Sequence, residues 1–276
     1  MLKNHSAGIV LALSLIIASV TAQSALVEVL QRHGIQARDG AFDEAFDAHA
    51  TPAVPVSPGS FATPLAVLMA ADGNDRIAGA YAFGILAGPS GRGASAQELA
   101  AAGQSLLLMI GSDDRNSRVA AARVAGRIFA APFDPSSARP AVPAGMTAAL
   151  FALLNQDRDI DQLAAMDALG LLRETTAVAS LTERYAYYRD AGKRVLAGGA
   201  LEALARIGDR STLTIVQQLA GDRWAEGKDA PALAVAFARE RLLKDGSIAV
   251  IRLAADDKSR RNQARGYLIE LGVSVP

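Results

Sequence analysis

The chain contains no cysteine, which excludes disulfides, thiolate nucleophiles and thiolate metal sites together. Export does not require disulfides, so this absence bears neither way on location. Histidine is scarce. Of three, only His33 and His49 lie beyond the N-terminal leader described below, and their sixteen-residue separation is not metal-ligand spacing. Both read as exposed polar residues of a capping segment. Aromatic residues make up only 5% of the chain, with a single tryptophan. The formal net charge is zero, which argues against a dedicated nucleic-acid binder and offers no electrostatic clue to a partner. What remains is a hydrophobic content of 51%, much of it alanine. Alanine has the best helix propensity and lets helix axes approach closely.

No apolar run has the roughly 20 residues needed to span a bilayer. The one candidate, Gly8 to Val20, follows Lys3 and leads into Val20, Thr21 and Ala22. That pattern reads as a secretory signal peptide over residues 1–22, cleaved before Gln23. No cysteine near Ala22 could accept a lipid, so no stable membrane anchor is expected after cleavage. The expected location is the periplasm or the extracellular space.

Along the rest of the chain one pattern returns. Anchored on Gly126, the segment Asp113 to Phe129 has Arg118 eight residues earlier and a small, apolar face between them. The same count from Gly84 gives Arg76, and from Gly170 gives Gln162. A fourth copy, Gly198 to Asp209, puts Ala205 and Ala197 at those positions. Leu233 to Asp245 keeps the helical period but has Arg241 at the glycine position, and Arg261 to Ile269 recovers the arginine without the glycine. Glycine inside a helix costs about 0.5–1 kcal/mol relative to alanine. Three at one register therefore predict a neighbouring backbone that needs the room. Anchors spaced by roughly 28 to 44 residues imply a stack of helix pairs.

Over residues 63–272 the chain resembles the HEAT-repeat family, including its bacterial short-repeat relatives, most strongly in VAAARVAGRIF and ALEALARIGD. The resemblance implies an all-α, right-handed α-solenoid of about six helix pairs. Residues 23–62 are expected to precede it as a helical cap, Ser24 to Gln31 and Asp39 to Ala48, with a Pro-rich linker or strap, Thr51 to Pro64. Insertions at Ala87–Ser95 and Ala130–Gly145 should share one rim. The turns QDRD, AADD and GDRW offer aspartates as helix N-caps, and Ser259 is a further candidate. The resemblance also implies that an arginine at the register bonds an aspartate in a neighbouring repeat's turn. Arg76, Arg118 and Arg261 would form such a ladder with Asp75, Asp113, Asp114, Asp157, Asp256 or Asp257. The rival expectation is a basic stripe that also includes Arg123, Arg127, Arg194, Arg206 and Arg265.

No catalytic residue, cofactor site or metal site is recognisable. Some relatives in this broad repeat group are metal-dependent enzymes with His-Glu pairs on their helices, and no such pair occurs here. In GPSGRG, residues 88–93, position 92 is arginine, which fails both the P-loop and the nucleophile-elbow pattern; a flexible surface turn is expected. Tyr185 and Tyr188 are expected to pack between repeats. Tyr187, Arg194, Arg206 and Trp224 are the candidate partner-binding residues, being of the types enriched at interface hot spots. The expectation is a scaffold that binds a protein partner through its concave helix face or rim loops; the alternatives are an unrecognised enzyme on the same repeats, or a spacer that self-associates.

Overall fold

The computed structural model describes residues 21–36, 42, 46, 59–132, 138–218 and 230–273. Among them are thirteen α-helices and no strand. The first, α1, covers residues 21–32. Twelve more form sequence-adjacent pairs that pack on one another: α2 (Ala62–Ala70) with α3 (Gly73–Ala87), α4 (Ala96–Ile110) with α5 (Arg115–Ile128), and α6 (Met146–Leu154) with α7 (Asp159–Leu171). The later pairs are α8 (Val178–Asp190) with α9 (Arg194–Ile207), α10 (Leu213–Gln218) with α11 (Ala230–Leu243), and α12 (Ile248–Ala255) with α13 (Arg261–Glu270). No described helix is long and apolar enough to cross a membrane. The expected signal segment through Val20, and the turn holding Trp224, lie outside the described residues.

The second helices pack in chain order, α3 on α5, α5 on α7, α7 on α9 and α9 on α11. Their inner faces are small. Ala121, Ala125, Ala165, Ala168, Ala200 and Ala203 have no exposed surface. A Cβ added at Gly126 would stand 2.8 Å from the Cα of Ala168, and one at Gly170 would stand 2.7 Å from the Cα of Ala203. Both glycines thus answer to a neighbouring backbone, as their register predicts. Gly84 differs: its added Cβ would meet side chains, Phe46 at 3.0 Å and Val124 at 3.1 Å. Phe46 comes from the N-terminal segment, whose Leu26, Leu30, Ile35 and Phe42 are also buried. It packs edge-on against Tyr81 of α3 at 5.3 Å, beneath the Arg127 guanidinium. The buried residues of this segment join the same hydrophobic core as the first pair.

The polar register works differently from the expected ladder. Arg76 donates to the Ala71 carbonyl at 2.7 Å, Arg118 to the Ser112 and Asp113 carbonyls at 3.0 and 2.9 Å, and Arg261 to Ala255 at 3.2 Å. Gln162 does the same to Gln156 at 2.7 Å. Each side chain folds back five or six residues onto carbonyls at the end of its own pair's first helix or in the turn that follows it. Such carbonyls need a partner from outside the helix ladder. A neutral amide can serve them, which explains why the charge is dispensable at Gln162. Two of the four also cross to a neighbouring pair: Gln162 accepts from the Tyr188 hydroxyl of α8 at 2.9 Å, and Arg118 reaches Asp161 at 2.8 Å, inside α7 instead of a turn. Asp161 is fully buried.

Helix starts follow sequence only in part. Asp114 caps α5 by accepting from the Ser117 N–H at 2.8 Å; the Ser117 side chain first, and this N–H next, hold its carboxyl below the usual range. The QDRD turn places Arg158 at the N-cap of α7, without a side-chain cap. Ser259 is no cap either: its N–H and hydroxyl both go to Asp257, and the N-cap of α13 is Arg260. Before α4, Ser95 and Glu98 form a reciprocal capping box that the sequence reading missed. The GPSGRG turn is not a loose surface loop. Gly91 is buried against Leu99, and its added Cβ would stand 2.8 Å from the Ile128 carbonyl at the end of α5. Likewise Ala131 donates to the Leu171 carbonyl at 2.9 Å, ending α7. Both long connections therefore run over the C-terminal ends of second helices, on one edge.

Gly126→Ala and Gly170→Ala are expected to destabilise by about 1–3 kcal/mol through overpacking. Gly266→Ala, where an added Cβ meets nothing within 4 Å, should gain about 0.5–1 kcal/mol of helix propensity. Urea unfolding of the three variants decides between packing and propensity. In the same assay Asp161→Ala should cost about 3–5 kcal/mol by stranding Arg118, whereas exposed Asp113→Ala should stay within about 0.5 kcal/mol.

Candidate functional site

Residues three and four apart share one face of a helix, and three second helices turn such a face to the same side. Val119 and Arg123 of α5, Ile160, Leu163, Ala164 and Asp167 of α7, and Gly199, Glu202 and Arg206 of α9 line a groove of about 340 Å³. Its floor is apolar toward the N-terminal end of α7, where Ile160 is exposed. Ionisable groups gather toward the C-terminal ends of α7 and α9. A bulkier floor is blocked at one point: a Cβ on Gly199 would stand 2.9 Å from Leu163 Cδ2.

Arg206 organises the charged end. Its Nε and Nη2 donate to the two carboxylate oxygens of Glu270 at 2.9 and 2.8 Å, a forked pair reaching from α9 to α13. Nη2 also pairs with Glu202, one helical turn earlier, at 2.5 Å, and Nη1 pairs with Asp167 of α7. The Tyr267 hydroxyl donates to Glu202 at 2.7 Å, and its ring stacks on Phe237 of α11 at 4.3 Å. The last helix thus returns across α11 to close the end of the groove. Beyond Glu270, Arg241 donates to the Ala205 and Glu270 carbonyls at 3.1 and 3.4 Å.

Three carboxylates share one guanidinium, and the cluster responds electrostatically. Burial pushes the Glu202 carboxyl up to about 7; Arg206 opposes this, while the charges of Asp167 and Glu270 reinforce it. Burial also lifts the Tyr267 hydroxyl well above its usual value, so it stays a donor. For Arg206 burial acts against the charge, and the surrounding carboxylates outweigh it. The site therefore combines an apolar floor, an exposed carboxylate and a carboxyl that exchanges its proton near neutrality. Among the described residues no group of three or more His, Cys, Asp or Glu could hold a metal ion.

Of the partner-binding candidates, Trp224 lies outside the described residues, and Arg206 stands apart from Tyr187 and Arg194. Tyr187 is 63% exposed on α8, its ring edge-on to buried Tyr188. Tyr185 and Tyr188 are buried as expected, and the Tyr188 hydroxyl donates to Gln162 of α7 at 2.9 Å. Arg194 is half-buried at the first position of α9. Arg206 stands twelve residues further along that helix, about 18 Å at the usual rise. It is buried among carboxylates, so it shapes the groove wall instead of offering a free cation. Arg118 and Arg127 are buried as well, Arg127 donating to the Gly84 carbonyl at 3.0 Å, which removes them from any basic stripe. Sequence reasoning missed Asp167, Glu202, Tyr267 and Glu270. Only the Glu202–Arg206 spacing of four carried a signal.

The chain matches no protein-family model, no curated protein and no solved structure; the site is therefore argued from its own geometry.

Because folded Glu202 binds its proton more tightly than the unfolded chain does, its contribution to stability is complete below about pH 4.5 and is lost as pH rises through about 7. The loss is on the order of 3 kcal/mol. Glu202→Gln removes the proton while Arg206 keeps Asp167 and Glu270. The stability of wild type relative to this variant should fall across that interval when both are unfolded in urea at several pH values. Identical pH slopes would show that Glu202 does not titrate there.

Proposed function

We propose that this chain is an exported HEAT-like solenoid, a right-handed stack of six helix pairs behind an N-terminal helical cap, and that it serves as a scaffold binding a protein partner. The ordered packing of second helices, with backbone approaching backbone at Gly126 and Gly170, supports the repeat reading. The observation that carries the function is the groove. Side chains from three successive second helices line one recess, so a partner would meet a surface that already has its shape and loses little ordering entropy on binding. A recess with an apolar floor and a charged wall suits a peptide segment better than a nucleic acid, for which the zero net charge gives no support. Tyr187 and the N-terminal end of α9 at Arg194 lie outside the groove lining and would serve as secondary contacts.

An unrecognised enzyme is the second reading, favoured by Asp167 and Glu202 converging in one groove with Glu202 poised near neutral pH. Against it, both carboxyls are tied to Arg206, and structural ion-pair networks shift pKa values in the same way. The scaffold reading therefore leads. In-cell crosslinking of the tagged protein in its native compartment should capture one reproducible protein, joined to peptides of α5, α7 or α9. Abundant intact protein with no crosslinked partner would defeat the scaffold reading and direct effort to small-molecule substrates.

A further inference from the structure

The groove wall holds more negative charge than it neutralises. Around Arg206 stand Asp167 of α7, Glu202 of its own helix and Glu270 of α13. Exposure separates them: 40% of the Asp167 side chain and 18% of Glu202 reach solvent, against 10% of Arg206. Asp167 and Glu202 line the groove beside Arg206, with Asp167 the most open of the three, while Glu270 stands outside the lining. The other cations point elsewhere. Arg123 of α5 also lines the groove, but its guanidinium sits over the Phe46 and Tyr81 rings at 5.5 and 5.6 Å and donates to the Tyr81 hydroxyl, toward α3. Arg241 of α11 is bound to carbonyls on the far side of Glu270, and Arg173, just past α7, acts on Glu270 from that side too. Tyr267 contributes a neutral donor. The floor beside this wall is Ile160, Leu163, Ala164 and Val119.

An aliphatic stem ending in a cation matches both halves of such a recess. On the reading of the groove as the scaffold's partner face, we propose that it accepts an apolar segment of the partner bearing a lysine or arginine, whose cation is seated between Asp167 and Glu202. The arriving charge supplies what the cluster lacks and favours ionised Glu202, so binding releases a proton. The groove then discriminates among apolar segments by charge, rejecting one that presents an acid at the same place.

The test uses short random peptides displayed on phage, selected against the full chain, with acetylated synthetic copies of the winners measured by fluorescence anisotropy. Winners should carry lysine or arginine flanked by aliphatic residues. Their affinity should rise about tenfold from about pH 6 to about pH 8, the range over which free Glu202 gives up its proton. Replacing the basic residue by glutamine should weaken binding by about tenfold or more. The pH gradient should vanish in Glu202→Gln, and Asp167→Asn should weaken binding with its thermal unfolding unchanged. Winners without a basic residue, no winners at all, or an equal gradient in Glu202→Gln would each overturn the proposal. The in-cell crosslink separates this from the scaffold reading. A partner captured equally by wild type and by the Asp167→Asn, Glu202→Gln double variant overturns the cation preference and leaves the scaffold standing. Basic peptides selected with no crosslinked partner would support the groove's chemistry and overturn the scaffold.

Discussion

Everything in this molecule depends on how closely the second helices approach. At Gly126 against Ala168, and at Gly170 against Ala203, one helix backbone lies where any side chain would have to be. Dispersion forces are short-ranged, so contact at this distance recruits both backbones and their alanine faces into the core. The consequence reaches the surface. Helices held this near present their outer residues side by side, and Asp167, Glu202 and Arg206 can then form one cluster. A wider spacing would leave a valley in which each charge was hydrated separately.

Pairs are closed by polar bonds of a different kind. The residue that recurs at the register serves carbonyls of the turn between its own pair's two helices, a local task that an arginine or a glutamine performs equally. Orientation between pairs comes from fewer, buried contacts, of which Arg118 to Asp161 is the clearest. Such a bond adds little net stability to a well-packed core, and its loss is costly because it leaves a charge without a partner. It favours one register of α5 on α7 over neighbouring ones. The two long connections add to this by crossing the C-terminal ends of α5 and α7.

At the far end the regular pattern gives way. Arg241 replaces the anchor glycine, and its guanidinium reaches the Ala205 carbonyl. A long side chain at that register keeps the last pair from repeating the close approach. Instead α13 returns to α9 through Tyr267 and Glu270. Weakened repeat motifs in the last two pairs therefore accompany a structural change: the groove is closed by a wall that stores three carboxyls around one guanidinium.

Helix content, the pairing of helices, the anchor glycines and the buried tyrosines Tyr185 and Tyr188 were all legible in the chain, because each depends on residues within a few turns of one another. Propensity, amphipathic period and small-residue spacing are local properties. The groove was not legible. Asp167, Glu202, Tyr267 and Glu270 are scattered over three helices, and nothing in their neighbourhoods marks them as partners. The fate of Arg206 was equally hidden, since a helical arginine reads as exposed until the fold places carboxylates around it. By itself the sequence determined an all-helical chain of paired, alanine-faced helices with room left at chosen points. Only the tertiary structure decided which charges meet and which face stays open, because burial and electrostatic neighbourhood are set by residues far apart in the chain.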